Sequence, residues 1–185
     1  TMKIIFVLAI VFPFSSQAEV LEGIAKNKKG ETVYLERHTV VIDEASLSKF
    51  IRVEYTKPDG VKFATMASDF SNSKLVPDTT FEDRRFKTTI TMRVSDGHVE
   101  FEEFKDGKSI SKKKIGLEKS MVASQGFDNF IKMNFARLEK GTVTFKFGVI
   151  DSKDFYTLNG YKKSSSPHEI EYGINASSIF LRLFA

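Results

Sequence analysis

Two stretches of the chain alternate apolar and polar residues with a period of two. In the first, Phe86, Thr88, Ile90, Met92 and Val94 share one face, and Lys87, Thr89, Thr91 and Arg93 share the other. Val143, Phe145, Phe147 and Val149 repeat the pattern. This period predicts strands packed on one side and wet on the other. Turn sequences punctuate the runs. Asp96-Gly97 and Asn159-Gly160 suit two-residue hairpins, whose central positions take positive φ. The first of these predicts Val94 opposite Val99 and Met92 opposite Phe101. Pro58-Asp59-Gly60 suits a type I turn followed by a left-handed glycine, which sets Tyr55 opposite Phe63. Asn27 to Gly30 separates Val20–Lys26 from Thr32–Ile42, and Asp106-Gly107 marks a further turn. The pattern predicts about ten strands joined mostly to their sequence neighbours, a meander.

One segment follows a helical period instead. From Gly126 to Lys140 the apolar residues are Phe127, Phe130, Ile131, Met133, Phe135 and Leu138. Ser124 can cap the start, Asp128 lies in the first turn, and Gly141 is placed for a left-handed stop. Asn134 falls inside the apolar stripe, either as an amide bonded to backbone or as a polar contact to something bound. One long helix among half-apolar strands predicts a mainly β (α+β) fold. A curved antiparallel meander sheet or partial barrel wraps around the helix, with a closed barrel lacking a central helix as the alternative. Ala176 to Ala185 reads as a short helix after an Asn175 cap.

Ser68 to Arg85 shows no clear period, and connections of that length tend to be functional or mobile. Asp78, Glu82, Asp83, Arg84 and Arg85 form a polar cluster within it. Such a loop is a candidate binding site, and equally a solvated loop whose charges satisfy one another.

The N-terminus changes the picture more than composition does. Met2-Lys3, the apolar run Ile4–Phe14 and the small residues Ser15-Ser16-Gln17-Ala18 have the anatomy of a signal peptide. Residues 1–18 are expected to be a detached, removable leader, and 19–185 a single β-rich domain in the periplasm or outside the cell. The chain ends on Leu183-Phe184-Ala185 with no polar tail, which suits a fragment lacking its final strands and a docked terminal helix equally. No cysteine is present, which excludes disulfides, thiolate metal sites and cysteine nucleophiles. The formal charge of +4 is mild and gives no reason to expect nucleic acid. No apolar stretch after the leader is long enough for a membrane-spanning helix. Three of the eighteen phenylalanines lie in the leader; the rest require a deep interior or an apolar cavity.

Catalytic chemistry has few candidates. His38 shares a strand face with Glu36, and His98 with Glu100 and Glu102, spacings that suit either a metal site or an ordinary solvent face. His168 stands alone. Lys112, Lys113 and Lys114 lie across from Glu100, Glu102 and Glu103, which predicts cross-strand pairing; the rival is an anion or headgroup patch. No phosphate loop, HExxH or G-x-S-x-G element is present. No catalytic residue, metal or cofactor is assigned.

Three stretches together carry a resemblance: Gly30-Glu31-Thr32-Val33-Tyr34-Leu35-Glu36-Arg37-His38, the Tyr55–Gly60 turn, and Gly126-Phe127-Asp128-Asn129-Phe130-Ile131 running to Leu138 and Gly141. The chain resembles a family of exported proteobacterial proteins of about this size with no assigned function. The resemblance covers most of 19–185, implies no catalytic residue, and implies a further strand pair after the last helix.

These readings favour a non-enzymatic binding or carrier protein for an apolar or lipid-like group held between sheet and helix. Phe127, Phe130, Asn134, Phe145 and Phe147 would line the site. The alternatives are a cell-envelope structural or interaction module, with an envelope protein partner, that uses a sheet edge or the 68–85 loop (Asp78, Asp83, Arg84, Arg85), and a carboxylate-based hydrolase.

Overall fold

A computed structural model describes residues 4–5, 18–165 and 170–176. The first strands run in strict sequence order: β1 (Ile4–Ile5), β2 (Glu19–Lys26), β3 (Thr32–Ile42), β4 (Ser48–Thr56), β5 (Lys62–Asp69), β6 (Asp78–Asp83), β7 (Thr88–Ser95), β8 (His98–Lys105) and β9 (Lys108–Gly116). They form one antiparallel sheet, β1 being only a two-residue bridge of Ile4 and Ile5 onto Ala25 and Ile24. The expected meander is therefore present. The expectation of a detached leader fails at Ile4–Ile5, because the free edge of β2 offers unpaired backbone groups to any extended segment within reach. Phe6 and Leu8 lie outside the described residues.

Beyond the meander come β10 (Met121–Ala123), α1 (Gly126–Leu138), β11 (Val143–Val149), β12 (Asp154–Ser165) and β13 (Ile170–Ala176). The four strands make a second sheet, in which β10 pairs parallel with β11 and the other pairs are antiparallel. Parallel neighbours need a crossover, and α1 supplies it. The helix accordingly packs on the small sheet, touching β10, β11 and β12, and reaches the meander at β4.

The small sheet has two apolar faces. Met121 and Ala123 face the meander, joining Val76, Ile90, Met92, Val99, Phe101 and Ile150. Val122, between them, faces the helix with Phe130, Leu138, Val143 and Phe145. Because β10 is covered on both sides, all three of its residues are buried. A third cluster, Val40, Ile51, Val53 and Phe70, lies toward the first strands of the meander.

Local chemistry explains most of the register. Asp96 and Gly97 both have positive φ, and Val94 faces Val99 and Met92 faces Phe101 as expected. Gly60 is left-handed as expected, but a bulge between Tyr55 and Thr56 moves the pairing by one, so Tyr55 faces Ala64 rather than Phe63. Phe86 does not extend the face of Ile90 and Met92. It lies in the turn before β7, 63% exposed. Asn159-Gly160 is not a turn: both residues sit inside β12, opposite Thr144 and Val143. A Cβ on Gly160 would stand 3.4 Å from the Phe145 ring and 3.5 Å from Leu138, so this glycine makes room for the helix-side core. Asn175 and Ala176 belong to β13, and the rest of the expected terminal helix, residues 177–185, lies outside the described residues.

The helix also departs from its expected ends. Its N-cap is Gln125, with no side-chain capping bond, while Ser124 takes positive φ and donates its hydroxyl to Met66 Sδ at 3.2 Å. At the other end Glu139 and Lys140 continue with backbone bonds to Phe135 and Arg137, and Gly141 is not left-handed.

Candidate functional site

The five residues expected to line a ligand all lie around α1. Phe130 and Phe145 are sealed inside, with ring centroids 4.4 Å apart. Phe127 and Phe147 are half-buried at the border of the cluster, in edge-to-face contact at 6.1 Å. The four rings touch one another and fill the seam between helix and small sheet. Asn134 turns to the helix itself: its Nδ2 donates to the Phe130 carbonyl at 2.9 Å, and its Oδ1 accepts from Arg137 at 2.8 Å. Two side-chain oxygens in this half of the molecule are buried without a hydrogen-bond partner, Gln125 Oε1 before the helix and the Tyr172 hydroxyl. Tyr172 packs on the same aromatic cluster. Burial, then the Glu139 carboxylate, pushes its phenol above the usual 10.0.

The expected polar loop does not exist as one. Thr79, Phe81 and Asp83 alternate with Asp78, Thr80 and Glu82, making β6 a strand inside the meander. Asp78 and Asp83 stand at its two ends, about 17 Å apart at ordinary strand rise. Asp78 accepts from the Val94 amide and from Asn72 Nδ2, both at 2.8 Å. Asp83 is only 6% exposed and is held by Arg85, whose Nε donates to both its oxygens at 3.0 and 3.2 Å. The Arg85 guanidinium also lies over the Phe63 ring, 3.9 Å from its centroid. That guanidinium holds the Asp83 carboxyl below its usual range against the opposing effect of burial. Arg84 occupies the following turn, exposed.

Sequence reasoning missed a cluster on the meander's inner face. Tyr55 makes ring contacts with Tyr34, Phe63 and Phe81 at 5.9 to 6.2 Å. Beside them His38 Nε2 lies 2.8 Å from Glu36 Oε2, and burial, then the same carboxylate, raises the Tyr34 phenol above its ordinary value. Burial raises the Tyr55 phenol far above its ordinary value, with the Glu36 carboxylate adding to the effect. The signal was available, since Tyr34, Glu36 and His38 have the spacing of one strand face.

His38 and His98 do not meet: they lie on β3 and β8, with four strands between them. His98 uses Nδ1 on the Asp96 carbonyl at 2.8 Å. Among the described residues no group of three His, Asp or Glu side chains could hold a metal ion. Lys112 and Lys114 pair across the strands as expected, with Glu102 at 3.0 Å and Glu100 at 2.7 Å, whereas Lys113 turns to Asp154 at 2.7 Å and Glu103 is taken by Lys153. Two open hollows, of about 520 and 550 Å³, lie elsewhere: one between the end of α1 and β12, the other at the β3–β4 turn. No described helix is long and apolar enough to cross a membrane.

Compared with models of protein families, with curated proteins and with solved structures, the chain matches none.

Proposed function

We propose that this is a non-enzymatic, exported binding protein of the bacterial cell envelope that takes an apolar or lipid-like group at the seam between α1 and the small sheet. The observation that supports this reading is the graded burial of the four-ring cluster. Phe130 and Phe145 form a sealed floor, while Phe127 and Phe147 are half-buried and meet edge to face. Exposed Phe135, two i+4 steps on from Phe127, continues the apolar surface along the helix. The orphaned oxygens of Gln125 and Tyr172 add a polar element, because buried groups without partners are uncommon and often belong to a water or a ligand. An acyl chain would have to part Phe127 from Phe147, so the site opens on binding.

Mild extraction followed by native mass spectrometry tests this, together with displacement of a fluorescent fatty acid. Retention of a lipid-sized mass by the wild type, and its loss in Phe127→Ser/Phe147→Ser, supports the reading. A wild-type protein that carries nothing and binds no fluorescent fatty acid overturns it.

A second reading has an observation of its own, the difference between the two edges of the meander. Edge strand β9 carries Lys112, Lys113 and Lys114, which discourage strand addition. Strand β2, which β1 covers only at Ile24 and Ala25, instead exposes Val20 and Ile24, with Leu35 of β3 beside Ile24. An extended envelope peptide adding to β2 is the interaction this favours. Cross-linking to a stoichiometric partner that Val20→Lys/Ile24→Lys abolishes would support it, and an unchanged cross-link would exclude this edge.

A further inference from the structure

In a meander, alternate turns emerge at the same end. The turns β2–β3, β4–β5, β6–β7 and β8–β9 therefore share one rim, and β3–β4, β5–β6 and β7–β8 share the opposite one. Counting each turn with its flanking strand residue, the first rim is made of residues 26–32, 56–62, 83–88 and 105–108. These hold ten Lys or Arg and four Asp or Glu. The opposite rim, residues 42–48, 69–78 and 95–98, holds five acids and one lysine. The whole chain carries a formal charge of only +4, so the topology separates charge that the composition conceals.

The cations of the first rim are largely uncommitted. Lys62 pairs with Glu54, Arg85 with Asp83, and Lys87 with Asp106. The other seven have no ion-pair partner among the described residues. Each of the four hairpins also presents one exposed apolar side chain at this end: Val33 at 48%, Val61 at 53%, Phe86 at 63% and Ile110 at 55%. Neighbouring tips are two strands apart, so the row extends about 30 Å at ordinary strand spacing.

We propose that this rim docks the protein on an anionic lipid bilayer, the cations resting among phosphate headgroups and Val33, Val61, Phe86 and Ile110 entering the interfacial layer. The charge complementarity is to a negatively charged surface, and the interleaved aliphatic side chains choose among such surfaces. Valine and isoleucine gain nothing against phosphates or base edges, but they gain by leaving water for the acyl boundary. A row of tips suits a flat partner better than a groove. The proposal goes beyond the ligand reading and holds whether or not the seam between α1 and the small sheet binds anything.

The test is co-sedimentation of the full chain with vesicles of phosphatidylglycerol and phosphatidylcholine, against vesicles of phosphatidylcholine alone. Binding is expected only to the anionic vesicles and should fall steeply as salt rises, since the screening length shrinks from about 10 Å at 0.1 M to about 3 Å at 1 M. Lys28→Glu/Lys29→Glu/Lys57→Glu/Lys105→Glu, four exposed rim residues without ion pairs, should lower the partition coefficient by about a thousandfold or more. Val61→Ser/Phe86→Ser should weaken binding several-fold and remove the part that survives high salt. Melting curves confirm that each variant is folded. Equal binding to neutral vesicles, or binding that the four charge reversals leave unchanged, would assign the association to the apolar N-terminal segment and overturn the proposal. Binding to heparin that anionic vesicles do not compete away would overturn it in favour of a soluble polyanion.

Discussion

The carboxamide of Asn129 meets both backbone polar groups of Ser48: its Oδ1 accepts from the Ser48 amide at 2.7 Å, and its Nδ2 donates to the Ser48 carbonyl at 3.3 Å. The same Nδ2 reaches the Lys74 carbonyl at 3.0 Å. One fully buried side chain thus ties the first turn of α1 to the start of β4 and to the loop after β5. Asn129→Ala leaves those backbone groups buried and unpaired and is expected to cost about 2–4 kcal/mol in urea unfolding. Asn129→Asp should cost more, because it adds a buried charge and replaces the donor with an acceptor facing two carbonyls.

Gly126 lies against the same loop. A Cβ there would stand 2.1 Å from the Leu75 carbonyl oxygen, a backbone atom that also accepts from the Ala123 amide at 2.8 Å. The loop cannot retreat without breaking that bond, so Gly126→Ala is expected to destabilise by about 3 kcal/mol. Gly141 is the control. It is exposed, it does not take positive φ, and nothing lies within 4 Å of the place a methyl group would occupy. Gly141→Ala should leave stability unchanged or raise it by about 0.5 kcal/mol, through the unfolded chain. Thermal melts of the two variants side by side read the contrast.

Tyr55 supplies an alkaline test. Its phenol is neutral in the fold well above the ordinary 10.0, chiefly because burial penalises the phenolate. A raised folded value stabilises fully below the unfolded one and is lost as pH rises above it. Wild-type stability should therefore fall as pH climbs past 10, and Tyr55→Phe should show a shallower fall. Parallel slopes for the two proteins would show that Tyr55 ionises freely in the fold.

What was legible in the sequence was what local chemistry decides. Asp96-Gly97 specifies its turn and register within a few residues, and the apolar spacing of Phe127, Phe130 and Leu138 specifies a helix. Gly60 was legible but the register beyond it was not, because the bulge at Tyr55 and Thr56 leaves no compositional mark. Asn159-Gly160 misleads because glycine serves two ends: the same dipeptide that turns a hairpin also clears space beneath Phe145 and Leu138. Strand β6 stayed hidden because Phe81 is its only large apolar side chain. The role of α1 as a crossover depends on β10, three residues buried on both faces and too short to show a period. The aromatic seam was found from composition and spacing. The basic rim was not, since its charges run from Lys26 to Lys108 and only strand order brings them to one end.

Arg85 makes two separable contributions, one to the Asp83 carboxylate and one to the Phe63 ring. Arg85 itself is substantially exposed, so the ion pair is worth less than a fully buried one, and Arg85→Ala is expected to cost about 1–2 kcal/mol at neutral pH. The pH dependence separates the parts. The folded Asp83 carboxyl lies below its ordinary 3.8, so its stabilisation is present above that value and is lost as pH falls through the lower folded one. In Arg85→Ala the side-chain bonds and the cation are lost, the backbone amides of residues 85 and 86 still hold the carboxylate against burial, and the Asp83 carboxyl moves up from its wild-type position. The gap between wild type and variant should therefore narrow on acidification as Asp83 takes up a proton in both. What remains at low pH is the cation–π contact with Phe63, about 0.5–1 kcal/mol. Urea unfolding of both proteins from neutral to acid pH reads this, and a gap independent of pH would mean that Arg85 stabilises through the ring alone.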